Sequence, residues 1–164
     1  PALTWWGTRP EYVTVNNGYL KLSSYKATAS KLYCGSIESN NKIETRYGYF
    51  EALIDIQAPG STGAQTAFWL QGDNQGNVNG TGADGAEIDI FESSWVNDRT
   101  QSTIHCDGYG SAKFGKGIAW TADGCETGYH YYGLLWRADK LAIFYDFKSR
   151  YCNIRARNTS YLPK

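Results

Sequence analysis

The chain has 164 residues, enough for one domain with a real core and little room for a second module. Sixteen Lys and Arg balance sixteen Asp and Glu, and no basic block interrupts the sequence, which argues against nucleic acid as the main partner. The apolar runs are too short to span a membrane, so no membrane partner is expected. The opening Pro-Ala-Leu-Thr-Trp-Trp also lacks a signal-peptide layout, so a secreted form is expected to have already lost its leader.

Strand periodicity runs through the sequence. Val13 and Val15 precede Asn16-Asn17-Gly18, and Leu20 and Leu22 follow, which predicts a hairpin because Asn-Gly accepts the positive φ of a tight turn. From Tyr47 to Ile56 the even positions Phe50, Ala52, Ile54 and Ile56 are apolar, while Tyr49, Glu51 and Asp55 face the other way. Thr66 to Leu70 repeats the pattern, with Phe68 and Leu70 inward and Ala67 and Trp69 on the opposite face. Gln71 to Gly85 follows as a long loop with glycines at 72, 76, 80, 82 and 85, a length usually reserved for functional or mobile segments. Gly133–Trp136 and Leu141–Tyr145 read as two further strands joined near Ala138-Asp139. No 3.6-residue stripe, repeat or linker is present. The expected fold is a single all-β domain of two stacked antiparallel sheets.

Cys34, Cys106, Cys125 and Cys152 are too far apart for a zinc knuckle or a redox CxxC pair. Their even number fits two disulfides in an oxidising compartment, with three pairings open. The sequons Asn79-Gly80-Thr81 and Asn158-Thr159-Ser160 point toward the same secreted, extracellular setting. Thirteen Tyr and six Trp suit either the core of a β-protein or a sugar-binding cleft, where pyranose C–H faces stack on aromatic rings.

The most chemically loaded segment is Glu87-Ile88-Asp89-Ile90-Phe91-Glu92. On a regular strand Glu87 and Asp89 share one face, but Glu92, five positions beyond Glu87, would be buried with the isoleucines. Burying a lone carboxylate costs on the order of several kcal/mol. A β-bulge at Ile90-Phe91 removes the conflict, because one extra residue puts Phe91 in the core and returns Glu92 to the side of Glu87 and Asp89. Three acids so close cannot all stay ionised at neutral pH, so at least one must hold its proton more tightly. A proton-bearing acid beside an ionised carboxylate is what retaining glycoside hydrolysis needs. A solvated acidic face, or carboxylates holding a hard cation such as structural calcium, would use the same residues.

The sequence resembles glycoside hydrolase family 16, the group of laminarinases, lichenases, agarases and carrageenases. Glu87 to Glu92 matches the bulged form of its ExDxxE signature. Tyr47-Gly48-Tyr49-Phe50-Glu51-Ala52, Ala67-Phe68-Trp69-Leu70, His105 and Gly128 to Trp136 resemble family blocks in the same order. The resemblance implies a β-jelly-roll sandwich with a concave substrate-binding sheet and a retaining mechanism. Glu87 would be the nucleophile, Glu92 the general acid/base, and Asp89 the residue that orients the nucleophile and modulates proton sharing. It further implies that Trp69 stacks under a sugar, that His105 hydrogen-bonds near the acids, and that Trp136 contacts substrate. His130, set among aromatics, reads as structural.

This sequence departs from common family patterns at three places. Gln65-Thr66 stands where many relatives have Trp-Pro, Leu53 where they often have Arg, and Cys106 to Gly110 where a Trp-containing segment is frequent. Relatives usually carry further strands before Leu3 and after Lys164, so the domain is expected to be incomplete at both ends. The expected activity is a secreted, monomeric endo-glucanase acting on β-1,3 or mixed β-1,3/1,4-glucan, with no cofactor required. The alternatives are the same chemistry on a galactan or xyloglucan, or a non-catalytic carbohydrate-binding protein of this fold. Sulfated substrates would call for basic subsites, and none is visible.

Overall fold

The computed structural model describes residues 5–56, 65–93 and 98–155, with the side chains of 5, 6, 93 and 149–155 left out of the description. Leu3, the second sequon and the Tyr161–Lys164 segment lie outside the described residues. The chain divides into two compact units, Pro1–Glu44 and Thr45–Lys164. Among the described residues no helix is long and apolar enough to cross a membrane.

In the first unit, β1 (Trp5–Thr8) leads through a 3-10 turn, Pro10–Tyr12, into β2 (Val13–Asn16) and β3 (Tyr19–Leu22). The β2–β3 hairpin is the one expected at Asn-Gly. Asn17 and Gly18 take φ of 51° and 80°, and Val13 pairs with Leu22 and Val15 with Leu20. β4 (Ser24–Thr28) and β5 (Lys31–Cys34) complete the unit, with β5 between β4 and a parallel β1.

The second unit is a sandwich of two four-stranded antiparallel sheets. It begins with β6 (Gly48–Ile54), β7 (Thr66–Gln71) and β8 (Glu87–Ser93). β9 (Arg99–Cys106) and β10 (Phe114–Thr121) follow. β11 (His130–Arg137), β12 (Lys140–Tyr145) and β13 (Lys148–Arg155) close the unit. One sheet runs β10-β9-β8-β7 and the other β13-β12-β11-β6. Alternation decides which faces meet. Ile88, Ile90 and Ile104 from the first sheet pack on Leu134, Trp136, Leu141 and Ile143 from the second. Phe91 stacks on Tyr132 with ring centroids 4.1 Å apart, in a second cluster with Ala122, Cys125 and Tyr145. Phe50, Phe68 and Leu70 support the core from β6 and β7, on the faces their alternation predicts.

The disulfide expectation is corrected. Cys34, Cys106 and Cys125 are free thiols. Cys106 belongs to one core cluster and Cys125 to the other, where each serves as a small apolar side chain. Cys152 lies in β13 among the residues whose side chains are not described.

The central irregularity is in β8. Its pairing with β7 passes from Asp89 directly to Phe91, and its pairing with β9 from Asp89 directly to Glu92. Ile90 is therefore the extra residue, and the bulge lies where Glu92 requires it. Ile90 and Phe91 are both fully buried. The hydroxyl of Ser102, across the bulge on β9, donates to the Ile90 carbonyl at 2.6 Å and accepts from Trp120 Nε1 at 3.0 Å. Thr100 Oγ1 likewise donates to the Glu92 carbonyl at 2.8 Å. These bonds satisfy backbone groups that the broken ladder would leave unpaired in an apolar interior.

Ser102→Ala strips a donor from the Ile90 carbonyl and an acceptor from Trp120 at once. It should cost about 1–3 kcal/mol and lower Tm by several degrees. An unchanged Tm in thermal unfolding would show that the bulge does not depend on this hydroxyl.

Candidate active site

The bulge turns one face of β8 into a polar surface on the outer side of the β10-β9-β8-β7 sheet. Glu87 pairs across the ladder with His105 on β9 and Gln71 on β7, Asp89 with Thr103 and Trp69, and Glu92 with Gln101 and Ala67. Directly paired residues in an antiparallel sheet share a face, so all of these side chains emerge together. Trp69 is 45 % exposed there, in contrast to the inward-facing Phe68 and Leu70 on either side of it.

Each acid has a different environment. Asp89 is the most enclosed, its side chain 4 % exposed and His105 Nε2 lying 3.3 Å from its Oδ2. The imidazole is off hydrogen-bonding geometry, which leaves that buried oxygen without a bond. Burial is the main cause that pushes the Asp89 carboxyl up to about 8, with the charges of Glu92 and then Glu87 adding to it. Asp89 thus holds its proton at neutral pH.

Glu87 sits beside it with a side chain 12 % exposed, its Oε1 3.8 Å from His105 Nε2. Its Oε2 accepts hydrogen bonds from the Tyr109 hydroxyl and from Gln71 Nε2, the latter at 3.3 Å. Glu92 is half-buried, and amide donors reach both of its oxygens, Gln65 Nε2 at Oε1 and Gln101 Nε2 at Oε2.

Donor atoms of Glu87, Asp89 and His105 all lie within 4.8 Å of one another. As a calcium site the group is poorly matched. Calcium takes six to eight oxygens, whereas this set offers two carboxylates and a nitrogen, and amides already reach both oxygens of Glu92.

The family sequence model for glycosyl hydrolases family 16 matches residues 4–160. The chain belongs to this family. Solved structures share the family 16 fold. The GH16 protein of the Bacteroides ovatus mixed-linkage glucan PUL, in complex with a G4G4G3G product, has a TM-score of 0.76 and 23% identity. That match covers 95% of this chain and 69% of the other. A laminarinase from Flavobacterium sp. UMI-01 has a TM-score of 0.74 and 24% identity, over 94% of this chain and 65% of its own. The kappa-carrageenase of Pseudoalteromonas carrageenovora, in complex with a kappa-carrageenan oligosaccharide, has a TM-score of 0.71 and 18% identity, covering 93% and 65% of the two chains. No curated protein sequence matches this chain significantly.

Against the family 16 expectations, Glu87, Asp89, Glu92, Trp69 and His105 all belong to the same outer face. Trp136 does not. It is 9 % exposed in the core between the sheets, edge-on to Tyr47 at 5.5 Å and tilted against Phe50 at 6.3 Å. Alternation along β11 puts Trp136 on the inward face with Leu134, so its assignment to substrate is corrected. His130 has the structural role expected of it. Its Nδ1 lies 2.9 Å from Asp146 Oδ2, its Nε2 3.1 Å from the Thr127 carbonyl, and its ring stacks on Tyr145.

Sequence reasoning missed four polar residues around the acids. Gln71 and Gln101 continue the outward alternation of Ala67-Trp69 and of His105-Thr103, so period 2 could have found them. Gln65 stands out in the sequence only as a departure from the Trp-Pro of many relatives. Tyr109 sits in a loop, where no periodicity points.

Asp89 also makes stability depend on pH. The unfolded carboxyl titrates near 3.8 and the folded one at about 8, so between these values the folded state binds the additional proton. Stability therefore falls as pH rises from about 4 to about 8 and stays low above that range. Asp89→Asn should flatten this slope, and its Tm relative to wild type should rise between about pH 5 and pH 9. Parallel Tm curves for the two proteins would contradict the burial of a proton-holding Asp89.

Proposed function

We propose that this chain is a secreted, monomeric endo-glycoside hydrolase that cleaves β-1,3 or mixed β-1,3/1,4-glucans with retention of configuration. The observation that carries the reading is the bulge in β8, which leaves Glu87, Asp89 and Glu92 on one outward face beside the exposed ring of Trp69. The likeness to a mixed-linkage glucan protein and a laminarinase supports the substrate class. Zero net charge supports a neutral glucan over a sulfated galactan. Secretion follows from the size of a polysaccharide, which cannot diffuse into a cell.

In this mechanism Trp69 stacks beneath a sugar ring next to the scissile bond. Glu87 attacks the anomeric carbon while Glu92 gives its proton to the departing glycosidic oxygen, and a glycosyl ester on Glu87 results. Water then attacks the same carbon, its proton passes to Glu92, and the Glu87 carboxylate is released. Asp89 holds its proton beside Glu87, so a second negative charge does not confront the nucleophile. The reaction runs on these side chains without a cofactor.

Glu87→Gln should lower kcat on glucan by about three orders of magnitude or more, with Tm and circular dichroism unchanged. Substantial residual turnover would remove Glu87 from the nucleophile's role. Glu92→Gln should impair glucan hydrolysis far more than hydrolysis of a dinitrophenyl glycoside, whose leaving group needs little protonation. Equal losses on both would contradict the acid/base role. A product profile over laminarin, lichenan, barley glucan, agarose and κ-carrageenan tests the substrate. Digestion of only the last two would replace glucan with galactan, and digestion of none would favour a binding protein.

A further inference from the structure

The two oxygens of Glu87 are not equivalent. Oε1 lies 3.8 Å from the His105 imidazole and, among the described residues, accepts no hydrogen bond. Oε2 takes both the Tyr109 hydroxyl and the Gln71 amide, and Gln71 Nε2 also lies 3.4 Å from the Tyr109 oxygen. A donor pair of this kind could be incidental if the tyrosine were on a loose loop, but its segment is tied down at two points. Gly108 N donates to the Gln75 carbonyl at 2.8 Å, and Asp107 Oδ2, from a residue 3 % exposed, accepts from Gly80 N at 2.7 Å. The glycine-rich loop that supplies these partners is closed at its base by Gly72 N donating to the Ala86 carbonyl at 2.9 Å. A side chain at Gly85, where φ is +158°, would press on the Asn74 backbone at 3.0 Å, so the loop can close this tightly only with glycine there. Burial and the neighbouring Glu87 raise the Tyr109 pKa, which keeps the phenol a neutral donor across the working pH range.

We propose that Tyr109, assisted by Gln71, is a positioning residue for Glu87 that stabilises this carboxylate as it leaves the sugar. The inference rests on the nucleophile assignment above. With Oε2 held, Oε1 is the oxygen free to attack the anomeric carbon. In the glycosyl ester Oε2 is a carbonyl oxygen, a weaker acceptor than a carboxylate. When water attacks and the bond from carbon to Oε1 breaks, the electron pair returns to the carboxylate and the water's proton goes to Glu92. The bonds from Tyr109 and Gln71 strengthen in that step, as preorganised donors do where charge develops. In the first step the same bonds hold the nucleophile's charge and give no acceleration. Tyr109 should therefore assist the second step selectively.

The test uses the full chain and a 2,4-dinitrophenyl 2-deoxy-2-fluoro glycoside of a β-1,3-linked glucose disaccharide, which traps the ester and then releases it slowly. In Tyr109→Phe, which keeps the ring, reactivation of the trapped protein should slow about tenfold or more, while trapping changes only a few-fold. On the corresponding dinitrophenyl substrate without fluorine, kcat and KM should fall together as the ester accumulates. Gln71→Ala should act in the same direction and less strongly. Unchanged reactivation, or trapping and reactivation slowed equally, would overturn the proposal while Glu87 remained the nucleophile. If wild type is not labelled, or the label sits on a residue other than Glu87, the nucleophile assignment fails and this proposal fails with it.

Discussion

The structure depends on one additional residue in β8. Without it, Glu92 would enter the interior beside Ile88 and Ile90 while Phe91 turned outward, and a lone buried carboxylate there is not sustainable. With it, Ile90 and Phe91 both enter the core, and the strand regains its phase for the acid that follows. The bulge interrupts the backbone ladder, and β9 compensates with the hydroxyls of Ser102 and Thr100, the first of them also bonded to Trp120. The irregularity that positions the site is therefore built into the packing of the sandwich rather than into a surface loop.

That placement sets the electrostatics. Three carboxyl groups on one strand face meet their mutual repulsion in different ways. Asp89 retreats into the sheet and keeps its proton. Glu87 and Glu92 are each supplied with neutral donors, a phenol and an amide for the first and two amides for the second. No Lys or Arg forms a described ion pair with any of the three. Neutral donors leave these groups free to gain and lose charge, which a fixed cation would oppose. Three acids this close cannot all stay ionised, and burial makes Asp89 one that holds its proton. On the proposed mechanism Glu92 enters the first step as the acid and recovers its proton from the attacking water in the second.

Period-2 alternation and turn chemistry made most of the architecture legible. The Asn17-Gly18 hairpin, the inward faces of β6 and β7 and the turn at Ala138-Asp139 all follow from local rules. The bulge was legible because the alternative was energetically unacceptable. The turn between β12 and β13 was not. Asp146 and Phe147 adopt φ of 46° and 62°, although Phe is a poor residue for that region. What holds them is tertiary: Asp146 Oδ1 accepts from Tyr131 N, its Oδ2 meets His130, and Phe147 packs on Tyr131 with centroids 4.5 Å apart. The same limit explains Trp136, whose placement depended on the phase of β11, and Tyr109, which reaches Glu87 only because loops distant in sequence brace each other. Cysteine number suggested bridges, but pairing is decided by position, and Cys106 and Cys125 occupy different parts of the core.

The account stands or falls on whether the re-phased strand brings Glu87 and Glu92 to opposite sides of one glycosidic bond at the short separation a covalent intermediate needs, about 5–5.5 Å. Proton NMR of the first-formed reducing end during glucan hydrolysis reads this directly. The account predicts that the β-anomer appears first and only later equilibrates to the α-form. An α-anomer formed first would mean inversion, with the carboxylates far enough apart to admit a water between them, and would contradict the role assigned to the bulge.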